Sequence, residues 1–393
     1  MLTKTPLAWK NLTHDPRRLA VAVSGVGFAV VLIFVELGFM NALLESTVQI
    51  LRKLNGQLVI ISSAKYAMPA RESFDLRRVS QAAGIPGVRA AYPVYIEGFG
   101  VLRKQGERGY PIRVLAFDLD EDVVQLGAIT PPDVDLRSPE TALTDVANRG
   151  KYRIPKGDDQ LSQFDAEFCD RQIRLVGTFH LGIDFANDGN LVMSPATFAR
   201  FFPMRVPGGD PLSRADLGVV QLEEGADPLV VQQSLRDAFH RDSPGHDVDV
   251  FTKDELIQRE MTFWRTSAPI GYIFLIGVYM GFVVGVIICY QIIYSDIADH
   301  MREFATLKAM GYTNAYFVML VLRQSLYLSV MGFVPGAVLS YACYKAMSGL
   351  TGLTMEMTPT TAITVLLVTM LMCVVSGFLA VRKLLSLDPA ELF

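Results

Sequence analysis

Two histidines and three aspartates near position 245 are the first residues whose types suit metal chemistry. Imidazole and carboxylate groups are common metal ligands. Their spacing matches no standard ligand pattern, and turn-forming residues lie among them at positions 243–245. We therefore predict a solvated loop, formed by a segment that contains His240, Asp242, His246, Asp247 and Asp249.

Recognisable catalytic motifs are missing from the sequence. It has no G-x-x-x-x-G-K-[ST] phosphate-binding loop, no G-x-S-x-G turn and no H-E-x-x-H zinc motif. The acidic run at 118–122 lacks the glycine and the final glutamate of a calcium-binding loop. We predict that the chain is not an enzyme and binds no cofactor or metal. If it takes part in active transport, ATP and Mg²⁺ bind to a separate ATPase chain.

Charge is distributed unevenly along the 393 residues. Between positions 50 and 266 lie 57 charged residues, 26 basic and 31 acidic, and the rest of the chain holds only 19. That remainder contains four apolar stretches of the roughly 20 residues that a membrane-spanning helix requires. This pattern excludes a plain cytosolic enzyme, a disordered chain and a nucleic-acid-binding protein, which would carry a basic face.

The predicted class is an integral membrane protein with four transmembrane α-helices and a large α+β extracytoplasmic domain between helices 1 and 2. Basic residues in the short flanks predict that both termini are cytoplasmic. The predicted segments are a cytoplasmic amphipathic segment 1–18, helix 1 at 19–44, the outer domain at 45–267, helix 2 at 268–294, a cytoplasmic coupling segment at 295–314, helix 3 at 315–347, a short extracytoplasmic loop at 348–360, helix 4 at 361–380 and a cytoplasmic tail at 381–393.

The outer domain shows a mixed pattern. A helical periodicity at 227–240, with Asp227 as its cap, predicts one helix. The pattern favours two subdomains, one from the segments that flank the membrane and one near residues 120–215. Apolar or alternating runs predict strands at 57–61, 88–102, 112–117, 173–179, 219–222 and 248–251.

Two ionisable residues fall inside predicted spans, and such residues are candidates for function. At 1.5 Å per residue, Glu36 lies about 25 Å from the start of helix 1, and Arg323 lies about 12 Å into helix 3 from its cytoplasmic end. This difference in depth argues against a direct ion pair. Glu36 has either a structural role or contacts a substrate, and Arg323 extends toward the cytoplasm.

Small residues and one proline mark helices 2 and 3. Gly277, Gly281 and Gly285 form a ridge where another helix can approach closely, either within one subunit or at a dimer seam. Pro335 predicts a kink in helix 3, which is either a hinge or a static feature.

The segment 295–311 is predicted to form a cytoplasmic helix that Ser295 or Asp296 caps and Gly311 ends. This helix either lies on the membrane surface or docks into a partner's groove. Its apolar residues recur at i, i+4, i+7 and i+10 and form one stripe: Ile297, Met301, Phe304 and Leu307.

Several runs carry a family resemblance. The most specific are S-A-P-I-G at 267–271, G-V-Y-M-G-F-V-V-G at 277–285, Y-Q-I at 290–292 and A-T-L-K-A-M-G-Y at 305–312. Shorter ones are L-A-W-K-N-L at 7–12, E-L-G-F at 36–39, D-G-N-L at 188–191 and D-P-A-E-L-F at 388–393. Together they resemble the DevC family of ABC exporter permease subunits, within the FtsX/MacB-like (type VII) class, and residues 252–393 resemble its FtsX-like permease region.

The resemblance implies a homodimer in the inner membrane, with the large domain in the periplasm. It also implies two copies of a separate ABC ATPase, a HlyD-like periplasmic membrane-fusion protein, a TolC-like outer-membrane channel and a lipid, glycolipid or other hydrophobic cargo. The residues implied to meet the ATPase are Asp299, His300, Met301, Arg302, Glu303, Phe304, Leu307, Lys308 and Gly311.

The predicted function is a mechanical relay that carries ATP-driven motion through the membrane helices to the outer domain. Two alternatives stay open. One is an FtsX-like signalling or scaffold protein that regulates an extracytoplasmic partner. The other is a membrane-anchored enzyme with its site outside, against which the missing nucleophile, base and metal set argues.

Overall fold

The computed structural model divides into two compact units, Leu43–Ser267 and the remainder of the chain. The predicted N-terminal segment and the predicted tail lie partly outside the described residues. The candidate metal ligand His246 and the side chain of Phe304 lie outside them altogether. The described residues are 9, 12–13, 15–131, 136, 138–155, 158–161, 164–242 and 247–385.

The helices are numbered here along the described chain. They are α1 (Pro16–Lys53), α2 (Arg77–Ala83), α3 (Asp158–Leu161), α4 (Pro195–Phe201), α5 (Pro228–Asp242), α6 (Lys253–Thr262), α7 (Pro269–Asp299), α8 (Met301–Ala309), α9 (Asn314–Thr351) and α10 (Pro359–Leu385).

The strands of the outer unit are numbered in the same way. They are β1 (Leu58–Ser62), β2 (Phe74–Asp75), β3 (Val88–Lys104), β4 (Tyr110–Ala116), β5 (Thr141–Asp145), β6 (Ala166–Phe168), β7 (Arg171–Phe179), β8 (Asn190–Met193), β9 (Arg214–Ala215), β10 (Leu217–Leu222) and β11 (Val248–Thr252).

Four helices, α1, α7, α9 and α10, are long and apolar enough to cross a membrane, and the predicted fold class is confirmed. Helix α1 continues nine residues beyond the predicted end at 44, as far as Lys53. Its last turns need not stop at a membrane boundary because Val48 and Leu51 are buried in an apolar cluster of the outer unit. One unbroken helix therefore belongs to both units.

The predicted start of the cytoplasmic helix is wrong. Helix α7 continues through positions 295 and 296 to Asp299, and the break comes at His300, where φ is −94° and ψ is 12°. The side chains of Ser295 and Asp296 are not free to cap because they bond to Arg18 and Gln324. The separate helix is the shorter α8.

The end of α8 agrees with the sequence. Gly311 follows the helix with φ of +92°, a left-handed conformation that favours glycine. Its N–H bonds to the Lys308 carbonyl at 3.0 Å, and the Tyr312 N–H bonds to the Leu307 carbonyl at 3.2 Å. These bonds close the last turn, so α8 leads into α9 through a fixed corner.

Nine strands of the outer unit form one sheet in the order β11-β1-β10-β3-β4-β8-β5-β7-β6. The first half of β3 pairs with β10, and its second half pairs with β4 on one side and β6 on the other. This second half therefore closes a ring of six strands. All pairs are antiparallel except β4–β8 and β5–β7, which are parallel.

The sheet alternates its side chains between two cores, as period-two geometry requires. Leu58 and Ile60 of β1 join the cluster that α2 and α5 cover, while Val59 and Ile61 join the cluster that contains Leu51 of α1. All six predicted strands and the predicted helix at 227–240 are confirmed, with ends within two residues. The pattern did not predict the short strands β5, β6 and β8 or the helices α2, α4 and α6.

Candidate functional site

The region around α8 is the part of the membrane unit that the sequence assigned to a partner ATPase. Its apolar stripe packs inward: Ile297 is buried, and Met301 and Leu307 contact the apolar core of the membrane helices. Met301 and Leu307 are only partly buried, so a contact of these two side chains with a partner stays a prediction.

The outward face of α8 is charged. Arg302 and Glu303 are exposed and Lys308 is half-buried, and none of the three forms an ion pair within the described part of the chain. Solvated charges without internal partners can pair with complementary charges of another protein without breaking an existing ion pair. These three residues of the predicted set remain available to a partner.

An apolar patch that the sequence reasoning missed follows directly after α8. Met310 is 63% exposed, Tyr312 44% and Tyr316 37%. The two tyrosine rings lie 4.7 Å apart and extend the exposed surface of α8 along the start of α9. Exposed aromatic and methionine side chains are typical of interface centres. Two tyrosines spaced i, i+4 at the start of a helix would have indicated this patch.

Two residues of the predicted ATPase-contacting set are engaged inside the bundle. Asp299 forms an ion pair with Arg18 of α1, and Arg18 also donates to Ser295 Oγ at 2.5 Å. His300 Nδ1 lies 2.9 Å from the main-chain oxygen of Asp296. The end of α7 is thus tied to the start of α1.

The structure places the glycine ridge of α7 against helices of the same chain. A Cβ at Gly281 would lie 3.2 Å from Ile33 of α1, and one at Gly285 would collide with Met372 of α10. A Cβ at Gly277 would lie 2.5 Å from the carboxyl carbon of Glu36, so the missing side chain makes room for that carboxyl group.

The two ionisable residues of the spans do not meet. Glu36 is half-buried beside Gly277, Arg323 is exposed, and neither has a hydrogen bond or ion pair with any described residue. Pro335 lies inside an unbroken α9. It stands beside Gly336, where α1 crosses so closely that a Cβ at Gly27 would be 3.8 Å from the Gly336 nitrogen.

The D-G-N-L motif of the outer unit forms a buried polar knot. Asn190 Nδ2 donates to Asp145 Oδ2 and to the Gly182 carbonyl, both at 2.7 Å. Asn190 Oδ1 accepts from Arg113 Nε at 2.9 Å and Nη2 at 2.6 Å, and Arg113 also pairs with Asp184. Every buried charge in the knot has a partner, which is what makes its burial tolerable. The motif is therefore structural.

A second buried polar group joins the segment after β1 to α6. Both carboxylate oxygens of Glu260 accept from the Met68 N–H, at 3.0 and 3.1 Å, and Trp264 Nε1 donates at 2.8 Å. Burial raises the pKa of Glu260 above its ordinary value, and burial lowers the pKa of the nearby Lys65. Both shifts favour the uncharged forms.

Among the candidate metal ligands near position 245, Asp247 is bonded to an arginine. Both carboxylate oxygens of Asp247 accept from Arg78, at 2.9 Å each, and Arg78 is almost fully buried. The residues that the structure describes include no group of three or more His, Cys, Asp or Glu side chains placed to hold a metal.

Comparison with known families decides the class of the membrane region. Residues 275–389, from α7 into the tail, match the family described as FtsX-like permease C-terminal. This part of the chain is similar to the C-terminal region of FtsX-like permeases. The predicted class is thereby confirmed, and the narrower DevC assignment stays a prediction. FtsX-like permeases of the ABC class work with an ATPase.

Two solved structures are similar to the outer unit. One is the periplasmic region of MacB from Actinobacillus actinomycetemcomitans, with 16% sequence identity and a TM-score of 0.38. The match covers 53% of this chain and 94% of the MacB chain. The extracellular domain of the ABC-type transporter YknZ from Gram-positive bacteria is 11% identical, with 50% and 99% coverage and a TM-score of 0.35. A comparison with curated proteins gave no match.

Proposed function

We propose that this chain is the membrane-spanning subunit of an ABC exporter, which relays the motion of a separate ATPase to the extracytoplasmic domain. The observation that carries the proposal is the FtsX-like match, which covers α8 and both helices beside it. The unpaired charges of Arg302, Glu303 and Lys308 and the exposed patch after α8 give the ATPase a surface to bind.

The bonds around α8 support the proposed relay. The corner at Gly311 fixes α8 to α9, and the Arg18–Asp299 ion pair ties the end of α7 to α1. A push on α8 is therefore felt by three spans. Helix α1 runs without a break from Pro16 to Lys53, and the proposed relay uses this continuity of the chain. Work comes from the different affinities of the ATPase states for α8.

The wider assembly rests on the family resemblance. We propose a homodimer in the inner membrane with two ATPase copies, which carry ATP and Mg²⁺, and with a HlyD-like adaptor and a TolC-like channel. The cargo is a lipid, glycolipid or other hydrophobic molecule. The large domain lies in the periplasm, and the chain itself performs no catalysis.

Co-purification from the native membrane tests the proposal. An ABC ATPase is expected with the wild-type chain, and Arg302→Glu is expected to reduce its recovery about tenfold, the effect of roughly 1.4 kcal/mol of lost interface energy. The matched control is Arg108→Glu, an exposed charge reversal in the outer unit. Recovery of no ATPase with the wild type would overturn the proposal.

The same preparation separates export from the FtsX-like alternative. Recovery of a membrane-fusion adaptor beside the ATPase supports an exporter. Recovery of a cell-wall hydrolase or its activator, without an adaptor, supports a signalling protein that regulates an extracytoplasmic partner.

A further inference from the structure

A cavity of about 280 Å³ opens in the membrane unit where α1 begins, α7 ends and α9 passes. One wall is apolar and includes Leu19, Ala22, Ile292 and Leu328, which all lie inside helices that can span a membrane. The rest of the lining is mostly polar and acidic. Because one water occupies roughly 30 Å³ of liquid, the cavity has room for a small organic headgroup.

Two of the four carboxylates that line the cavity already have partners. Asp15 accepts from the main-chain N–H groups of Arg17 and Arg18, at 2.9 and 3.3 Å, and so caps the start of α1. Asp299 is paired with Arg18, which also lines the cavity. These two acids and the arginine need no ligand.

The other two carboxylates have no hydrogen bond from a Lys or Arg side chain among the described residues. Asp296 accepts from Gln324 Nε2 at 3.2 Å, a neutral donor. His300 Nδ1 lies 3.7 Å from Asp296 Oδ1, which is beyond hydrogen-bond distance. The same nitrogen lies 2.9 Å from the main-chain carbonyl oxygen of Asp296. The Glu303 carboxylate, at the exposed rim, has no partner among the residues described.

A buried amide oxygen of Gln324 favours a hydrogen-bond donor as the ligand of this cavity. Its side chain is 3% exposed and lines the cavity, and its Oε1 is buried without a hydrogen-bond partner. The bond from Nε2 to Asp296 fixes the orientation of the amide, so Oε1 remains the free acceptor. A buried acceptor without a donor is costly, and a donor that enters the cavity removes this cost.

We propose that this cavity binds a primary ammonium group. An ammonium carries three N–H donors and one positive charge, and the cavity offers three acceptors without a cation: Asp296, Glu303 and Gln324 Oε1. A quaternary ammonium has no N–H donor and leaves Gln324 unsatisfied. A metal ion is a poorer fit, because the described residues bring no three ligating side chains together.

The apolar wall favours a lipid as the source of the ammonium. A phospholipid with an ethanolamine headgroup places its amine at the polar wall and the start of its chains along Leu19 and Ile292. A soluble primary amine shares the headgroup chemistry but uses none of the apolar wall. The site does not rest on the proposed transport function, and Glu303 at its rim is the one acceptor that it shares with the surface proposed for the ATPase.

Lipid retention by the full-length protein tests the site. The chain is reconstituted in nanodiscs with equal amounts of phosphatidylethanolamine and phosphatidylcholine of identical acyl chains, and bound lipids are counted by native mass spectrometry. We expect the wild type to retain the ethanolamine lipid over the choline lipid about tenfold, the factor that the loss of one charge-assisted hydrogen bond gives. Gln324→Leu and Glu303→Gln are expected to remove the preference.

The control is Gln291→Leu, the same change at an exposed position of α7 that does not line the cavity. Glu303→Gln guards against misfolding because Glu303 is exposed. The preference persisting in both cavity variants would overturn the site. A second measurement compares the shifts in unfolding temperature that ethanolamine and tetramethylammonium produce. Equal retention of the two lipids together with equal shifts from the two compounds would also overturn the site. A thermal shift from ethanolamine alone, without lipid preference, assigns the site to a soluble amine.

Discussion

The residue that best explains the outer unit is Asn190. It is fully buried, and its side chain bonds to an aspartate, an arginine and a main-chain carbonyl. Arg113 comes from β4 and Asp145 from β5, so the asparagine joins two strands on either side of its own. The amide serves this position because it both donates to the carboxylate and accepts from the guanidinium.

Asn190→Leu is expected to lower the stability of the protein by about 3 kcal/mol or more, because Arg113 and Asp145 then lose hydrogen bonds that they cannot replace. The measurement is the thermal unfolding of the full chain in detergent, with limited proteolysis of the outer unit. The control is Gln233→Leu on exposed α5, which should change stability by no more than about 0.5 kcal/mol. Equal unfolding temperatures for the two variants would contradict the structural role.

Glu255 makes stability depend on pH. The Thr252 N–H donates to its carboxylate at 2.8 Å in a capping box at the start of α6, and this bond holds the pKa of Glu255 below its ordinary value. The ionised form therefore stabilises the folded state above the unfolded pKa of about 4.3. This contribution is lost as the pH falls through the lower pKa of the folded state.

Glu255→Gln is accordingly expected to unfold at a lower temperature than the wild type at pH 7, with the difference closing as the pH falls below about 4. Thermal scans at pH 7, 4 and 3 measure it. Glu224→Gln, on an exposed turn, is the comparison and should follow the wild type at each pH. A gap that widens toward low pH would contradict the sign of the shift.

At the scale of elements, α7 shows what a glycine ridge is for. Gly281 and Gly285 let α7 approach α1 and α10 closely, and Gly277 leaves space for the Glu36 carboxyl group. Periodicity alone predicts the ridge but not its partner, because the same stripe fits a helix of the same chain or of a second copy.

Gly285→Val is expected to lower stability by about 1–3 kcal/mol through overpacking against Met372 and Ala29. The matched control is Gly349→Val in α9, where a Cβ meets no atom within 4 Å. Thermal unfolding and size-exclusion chromatography in detergent are the measurements. A changed oligomeric state at an unchanged unfolding temperature would assign the ridge to a dimer seam instead.

Helix α8 shows how tertiary contacts reassign a correctly predicted pattern. The predicted apolar stripe is divided between the end of α7, with Ile297, and α8, with Met301 and Leu307, and all three contact a core built from helices distant in sequence. The outward surface of α8 is charged, and exposed tyrosines follow it at the start of α9.

At the scale of the whole molecule, the predicted topology puts α8 and the outer unit on opposite sides of the membrane. In a chain whose four native cysteines are replaced, a membrane-impermeant maleimide should label Glu224→Cys in intact spheroplasts and Thr306→Cys only after lysis. Both positions are exposed, so access is set by the membrane. Labelling of the α8 cysteine in intact spheroplasts would reverse the orientation.

The sequence by itself determined the spans, the outer domain and most of its strands, because hydropathy and periodicity are local properties that nearby residues impose. It also carried the FtsX-like resemblance. Only the tertiary structure decided which charged side chains have partners within the chain. Arg18 meets Asp299, and Asp296 meets Gln324, through folding of the chain. The pairing of β6 with β3 closes the ring in the same way. Such partners are far apart in the chain, so no local pattern encodes them. For the same reason, the acceptors around the cavity, Asp296, Glu303 and Gln324, could be identified only from the tertiary structure.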